Sequence, residues 1–261
     1  MSVLASKRET SKYEYAWHFV KLYEYTEEKL SKMAKRKYRW LGEPVVLRMN
    51  RIRDEIMQLY DEYYDPGISK CEQCERIIRH LLDLQKPLLA LWNIDRYKEK
   101  RMIKWASLID REINLLADMA GMGKCGQYMF ILDYAAINRM DCMRNMSILH
   151  KMIYAKTISL PSRTRETKGS YLQKLADEAL FRIFRANRTI PKNGREYEQR
   201  RADLSRAMNC IKSMEQPMFS IFNQMNYASE TMEEIAKLIT EQEKLLAGLM
   251  KSDRTRFSGL K

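Results

Sequence analysis

Positive and aromatic side chains alternate in one short stretch of this chain: Lys35, Arg36, Lys37, Tyr38, Arg39 and Trp40. Such a run suits nucleic acid, because cations hold phosphates while aromatic rings stack on unpaired bases. The competing reading makes Tyr38 and Trp40 staples that fix the stretch to a core. A second group, Arg96, Lys98, Lys100, Arg101 and Lys104, carries charge without interleaved rings. A third, Arg163, Arg165 and Lys168, is placed by the sequence like the first, in a connection between helices.

Other chemistry finds little support. Cys71 and Cys74 form a single CxxC, but a zinc site needs four ligands and no second pair stands near. A thioredoxin-like role needs a strand before the motif, and here the motif falls in a helix. The run from Gly121 to Gly126 is not a phosphate loop, since Asp118 and Cys125 stand where that motif needs Gly and Ser or Thr. His18, His80 and His150 are not paired at metal-ligand spacing. Asp54-Glu55 and Asp177-Glu178 recur in the second helix of each half and read as solvated pairs with basic neighbours one turn away. With no nucleophile beside a base, the sequence points to no catalytic residue, no metal and no cofactor, so an enzyme is not expected.

Composition supports a polyanion partner. Lysine and arginine number 47 against 34 acidic residues, for a net charge of +13 and a pI of about 9.4. The summed field of such a chain attracts polyanions, which release counterions on binding. With 45% hydrophobic residues the chain can bury real cores, which argues against wholesale disorder. No apolar run reaches the roughly 20 residues that a membrane span needs. The first ten residues are polar and charged, unlike a signal peptide, and the odd cysteine count suits reduced thiols, so a cytoplasmic location is expected.

The elements that must position these residues come from an internal repeat. Residues 85–119 lie on 215–249 without a gap at a displacement of 130, Pro87 to Pro217. Asn93 meets Asn223, Tyr97 meets Tyr227, and the apolar stripe through Met102, Ile109 and Leu116 meets Met232, Ile239 and Leu246. A period this long marks two copies of one small domain rather than a solenoid. Apolar residues at helical spacing predict four helices per copy: 13–35, 44–64, 69–92 and the segment through Met119, then 128–156, 171–186, 196–222 and 229–250. Pro87 and Pro217 fall inside the third helix of each copy and should bend it. Amphipathic helices with short links cover one another best as a bundle. The expected fold is all-α, two tandem antiparallel four-helix bundles, copy one at 1–122 and copy two at 123–261. The copies should differ in partners, because the second basic group is replaced in copy two by Asn226, Ala228, Glu230, Thr231 and Glu234.

The stretch from Arg36 to Pro44, with the helix containing Arg53 to Leu59, resembles the basic-aromatic "Leu-Gly" connection of accessory variability determinant (Avd-like) proteins of diversity-generating retroelements. Related bundles occur in ribosomal-RNA intervening sequences. The segments Glu178 to Arg188, Tyr197 to Arg201 and Leu245 to Arg254 are similar to parts of bundle proteins encoded beside such reverse transcriptases. The resemblance implies a non-catalytic partner of a reverse transcriptase that binds template RNA or cDNA and supports mutagenic copying. It also implies a homo-oligomer, since family members form rings of single bundles; two bundles in one chain depart from that pattern. The alternative reading is a structural or protein-interaction bundle whose charge only keeps it soluble.

Overall fold

A computed structural model of the chain describes residues 13–61, 67–95, 99–121, 140–188, 190–225 and 229–260, without the side chains of Arg36, Glu99, Lys100 and Ser229. The described residues are helical, with no strand among them. No helix among them is long and apolar enough to cross a membrane. Contacts divide the chain into two compact units, residues 1–132 and 133–261. The expected boundary at 122/123 lies outside the described residues.

Unit 1 holds α1 (Glu14–Leu30), α2 (Glu43–Tyr60), α3 (Lys70–Asp83), α4 (Gln85–Asp95) and α5 (Glu99–Met119). The four long helices pack in a closed cycle, α1 on α2, α2 on α3, α3 on α5 and α5 on α1. Their shared core includes Leu22, Met49, Ile52, Ile77, Leu81 and Trp105. Local chemistry sets the ends. Pro44 sits in the first turn of α2, where its fixed φ suits the helix. Ser69 and Glu72 close a capping box on α3. Gly121 ends α5 at φ +68°, a left-handed conformation that favours glycine.

Unit 2 holds α6 (Asp141–Ile158), α7 (Ser170–Arg188), α8 (Gly194–Lys212), α9 (Glu215–Met225) and α10 (Ser229–Arg256). The same cycle recurs, α6 on α7, α7 on α8, α8 on α10 and α10 on α6. Asn193 caps α8 by accepting from the Glu196 N–H. The expected fifth helix, 128–156, is seen only from Asp141, because Met140 is extended at φ −125°, ψ 126°; residues 128–139 lie outside the described residues. The eighth runs beyond its expected end at Met250 to Arg256, since no breaker intervenes and Arg254 and Arg256 favour a helix C-terminus.

The expected single helices 69–92 and 196–222 are each interrupted ahead of their proline. The helix stops at Asp83 and restarts at Gln85, and in unit 2 it stops at Lys212 and restarts at Glu215. Pro87 and Pro217 therefore lie in the first turns of α4 and α9, where no backbone donor is lost. The chain breaks the helix instead of bearing the roughly 3 kcal/mol of an interior proline.

Candidate nucleic-acid interface

The first connection, expected between two helices, is itself helical. After Ala34, extended at ψ 136°, a single turn Lys35–Lys37 leads into a π-helical turn Tyr38–Gly42. In unit 2, Pro161 is extended at ψ 145°, and a turn Ser162–Thr164 leads into a π-helical turn Arg165–Gly169. The two match at a displacement of 127, Gly42 to Gly169. Both glycines are there for space. A Cβ on Gly42 would stand 2.8 Å from the Tyr38 ring, and one on Gly169 3.2 Å from Leu160. π turns concentrate at functional sites, and nothing in residue spacing announces one.

Tyr38 is thus packed against Gly42 as a staple. Trp40 is half-buried, with the exposed Arg39 guanidinium 5.8 Å from its ring centre. Lys35 and Lys37 are exposed, and Lys37 pairs with Asp95 at the end of α4. The Arg36 side chain lies outside the description.

The second basic group reaches the same end of unit 1. Antiparallel packing brings the start of α5 to the end of α1: the Tyr25 hydroxyl donates to the Arg101 carbonyl (3.0 Å), and Trp105 Nε1 donates to Thr26 Oγ1 (3.0 Å). Lys104 and Lys29 flank the Tyr25 ring, 5.0 and 4.8 Å from its centre. Arg101 and Lys104 are exposed. Arg96 and Lys98 lie outside the described residues, as does the Lys100 side chain. Arg48, also at this end, donates to the Asp83 carbonyl (2.6 Å) at the close of α3.

Lys29, Lys32 and Arg48 join this end without having been singled out in the sequence. Lys29 follows Tyr25 by one helical turn, and that spacing was the available signal. Glu28 accepts hydrogen bonds from Lys29 and Lys32, and those bonds hold its carboxyl down at about 2. It therefore stays anionic and offsets part of the local charge. The net arrangement is a positive end with half-buried rings at its edge, able to hold phosphates by direct contact.

The corresponding end of unit 2 is weaker. Arg163 is exposed, but Lys168 donates to Ser220 Oγ (2.6 Å) and Arg165 reaches the Ile158 carbonyl (3.5 Å), so both help tie the connection down. Glu230 and Glu234 on α10 are exposed, where unit 1 has cations.

The remaining candidates stay structural. His18 is buried with Nδ1 2.8 Å from Glu112, His150 stands 2.8 Å from Asp177, and His80 stands 3.3 Å from Glu55. The reading of Asp54-Glu55 and Asp177-Glu178 as matched solvated pairs is corrected. At the displacement of the glycines, Asn50 and Arg51 match Asp177 and Glu178. Glu55 is buried, and Asp177 accepts from the Tyr154 hydroxyl. Cys74 is buried, and burial pushes its thiol up to about 11, away from the reactive thiolate. Among the described residues, no group of His, Cys, Asp and Glu could hold a metal ion. No family model, curated protein or solved structure matches this chain.

Proposed function

We propose that the two helical units are antiparallel four-helix bundles in tandem, and that the chain is a non-catalytic, cytoplasmic accessory protein of a diversity-generating retroelement. In this reading it binds a reverse transcriptase and its template RNA or cDNA and supports mutagenic cDNA synthesis. The observation that carries the nucleic-acid part is the convergence of Lys35, Lys37 and Arg39 with Arg101 and Lys104 at one end of unit 1. These residues are far apart in sequence, and clustering concentrates a positive field that dispersal would dilute. The polymerase part rests on the resemblance of the segments quoted above.

Exposed Trp17 and Leu47 (64% and 63% accessible) favour a second reading, a bundle that docks protein only. Copurification with a reverse transcriptase encoded beside the gene, with and without ribonuclease, separates the two. Retention of polymerase together with RNA is expected. Retention of polymerase with no RNA, and no RNA binding by the isolated protein, would favour docking alone. Changing Lys35, Lys37, Arg101 and Lys104 to Gln should reduce the slope of log affinity against log salt by roughly 0.7 per lost contact to single strands. An unchanged slope in the folded variant would remove this end from the interface.

A further inference from the structure

A second positive end lies in unit 2, away from its π turn. α7 starts beside that turn and is 19 residues long, so its far end lies about 28 Å away at 1.5 Å per residue. There the end of α7, the start of α8 and the end of α10 meet. Arg200 joins them: it donates to the Ala186 carbonyl and makes a two-pronged bond to Asp253, at 2.5 and 3.2 Å. Tyr197 and Phe257 pack 6.1 Å apart beneath it. The backbone closes in as well, since a Cβ on Gly194 would stand 2.9 Å from the Leu260 carbonyl.

Around this buried pair, Arg195, Arg201, Lys251, Arg254 and Arg256 are exposed. Arg201 and Arg254 line one small depression with Tyr197 and Asp253, and Arg256 lies 5.2 Å from the Phe257 ring centre. Exposed acids at this end are Glu198, 3.4 Å from Arg201, and Asp141 at the start of α6, paired with Arg144. The corresponding end of unit 1 is different among the described residues: Glu14, Asp61, Glu72 and Asp118 stand there against the exposed Lys70, and Arg111 is paired with Glu14 at 2.8 Å.

We propose that this arginine-rich end of unit 2 is a separate docking surface for the phosphodiester backbone of RNA. The inference rests on the nucleic-acid reading above and adds a site that the sequence candidates did not include. Two features select the ligand. Guanidinium forks match phosphate oxygens in pairs, which an ammonium cannot do. The rings among the described residues at this end, Tyr197 and Phe257, are buried, and exposed Ile190 (65%) offers no ring, so no exposed ring among the described residues is there for bases to stack on. The surface therefore reads backbone charge without regard to sequence, unlike the unit 1 end with Trp40 at its edge.

The test uses the full chain with Arg195, Arg201 and Arg254 changed to Gln. A matched control changes Lys151, Arg206 and Lys244, exposed around the middle of the same unit, so both lose the same net charge. Probes are an oligouridylate, an oligoadenylate of equal length and an RNA duplex. If the site is real, the end variant loses at least about tenfold in affinity for all three probes and its salt slope falls, while the control changes little. Equal losses in the two variants would overturn the site in favour of diffuse charge. A loss confined to one oligonucleotide would overturn backbone reading. Wild-type protein that binds none of the probes would instead sink the nucleic-acid function itself. Competition by an acidic polypeptide but not by RNA would assign the surface to protein.

Discussion

The two units place a polar pair at the same point of their cores and make it from different chemistry. In unit 1, His18 on α1 meets Glu112 on α5. In unit 2, Asn145 on α6 donates to Gln242 on α10 (2.9 Å). Glu112 and Gln242 match at the displacement of the prolines, and His18 and Asn145 at that of the glycines. A neighbouring pair follows suit: the Tyr23 hydroxyl donates to Asn50 (2.6 Å), and His150 and Asp177 occupy the matching positions. What both units keep is a buried bond across two helices. The identity of both partners differs between the units, and each combination still pairs a donor with an acceptor.

The contact between the second and third helices carries the contrast further by reversing its charge. In unit 1 the buried acid is Glu55 on α2, facing Arg76 (3.6 Å) and His80 on α3. In unit 2 the acid is Asp203 on α8, facing Arg182 (2.9 Å) and Arg185 on α7. Burial works against the Arg182 charge, but hydrogen bonds to Asp203 and Glu178 outweigh it and raise its pKa. Asp203 is fully buried, so the largest expected effect is there. Asp203→Ala removes the buried acceptor that Arg182 and Arg185 share, although Arg182 keeps Glu178, and should cost about 3 kcal/mol in denaturant titration. Glu55→Ala should cost less, about 1–3 kcal/mol, because the contacts of Glu55 to Arg51 (3.6 Å), Arg76 (3.6 Å) and His80 (3.3 Å) are longer than that of Asp203 to Arg182 (2.9 Å). Equal costs would mean that the two contacts are equivalent despite their different burial.

The helices were legible because apolar spacing and turn residues are local signals. The prolines marked a disruption in the third helix, but sequence did not say that the helix would stop a few residues ahead of them. The π turns were invisible, since they depend on Tyr38 and Leu160 closing on glycines. The basic end of unit 1 was half legible. Its two groups could be listed, but their convergence needed α1 and α5 to run antiparallel. The arginine-rich end of unit 2 was missed because its members come from two helix ends far apart in sequence, the start of α8 and the end of α10.

The smallest predicted effect is the most specific to the comparison: at the matched position unit 1 has an ionisable pair, His18 and Glu112, where unit 2 has the amides Asn145 and Gln242. Burial holds His18 down at about 4, with Arg111 and Lys21 adding to the effect and Glu14 opposing it. Burial also pushes Glu112 well above the usual carboxylate range, against the pull of Arg111. Both groups therefore favour their neutral forms, with the Glu112 carboxyl donating to Nδ1. His18 Nε2 and Glu112 Oε1 have no hydrogen-bond partner among the described residues. The two shifts have opposite consequences. His18 binds its proton more weakly folded than unfolded, so it costs stability as pH falls from about 6.5 towards about 4. Glu112 binds its proton more tightly when folded, so it costs stability as pH rises above about 4.5. Above about 6.5 only the second effect remains, and unit 1 should weaken with rising pH. Converting the pair to the unit 2 form, His18→Asn with Glu112→Gln, removes both titrations. In denaturant titrations of the full chain, the double variant should gain on wild type as pH rises from about 6.5 to about 8.5. Glu112→Gln alone should show the same trend, because the Gln amide can donate to Nδ1 without holding a proton. A stability difference that stays constant over that range would mean that Glu112 is already ionised in the core, as half of an ion pair with His18.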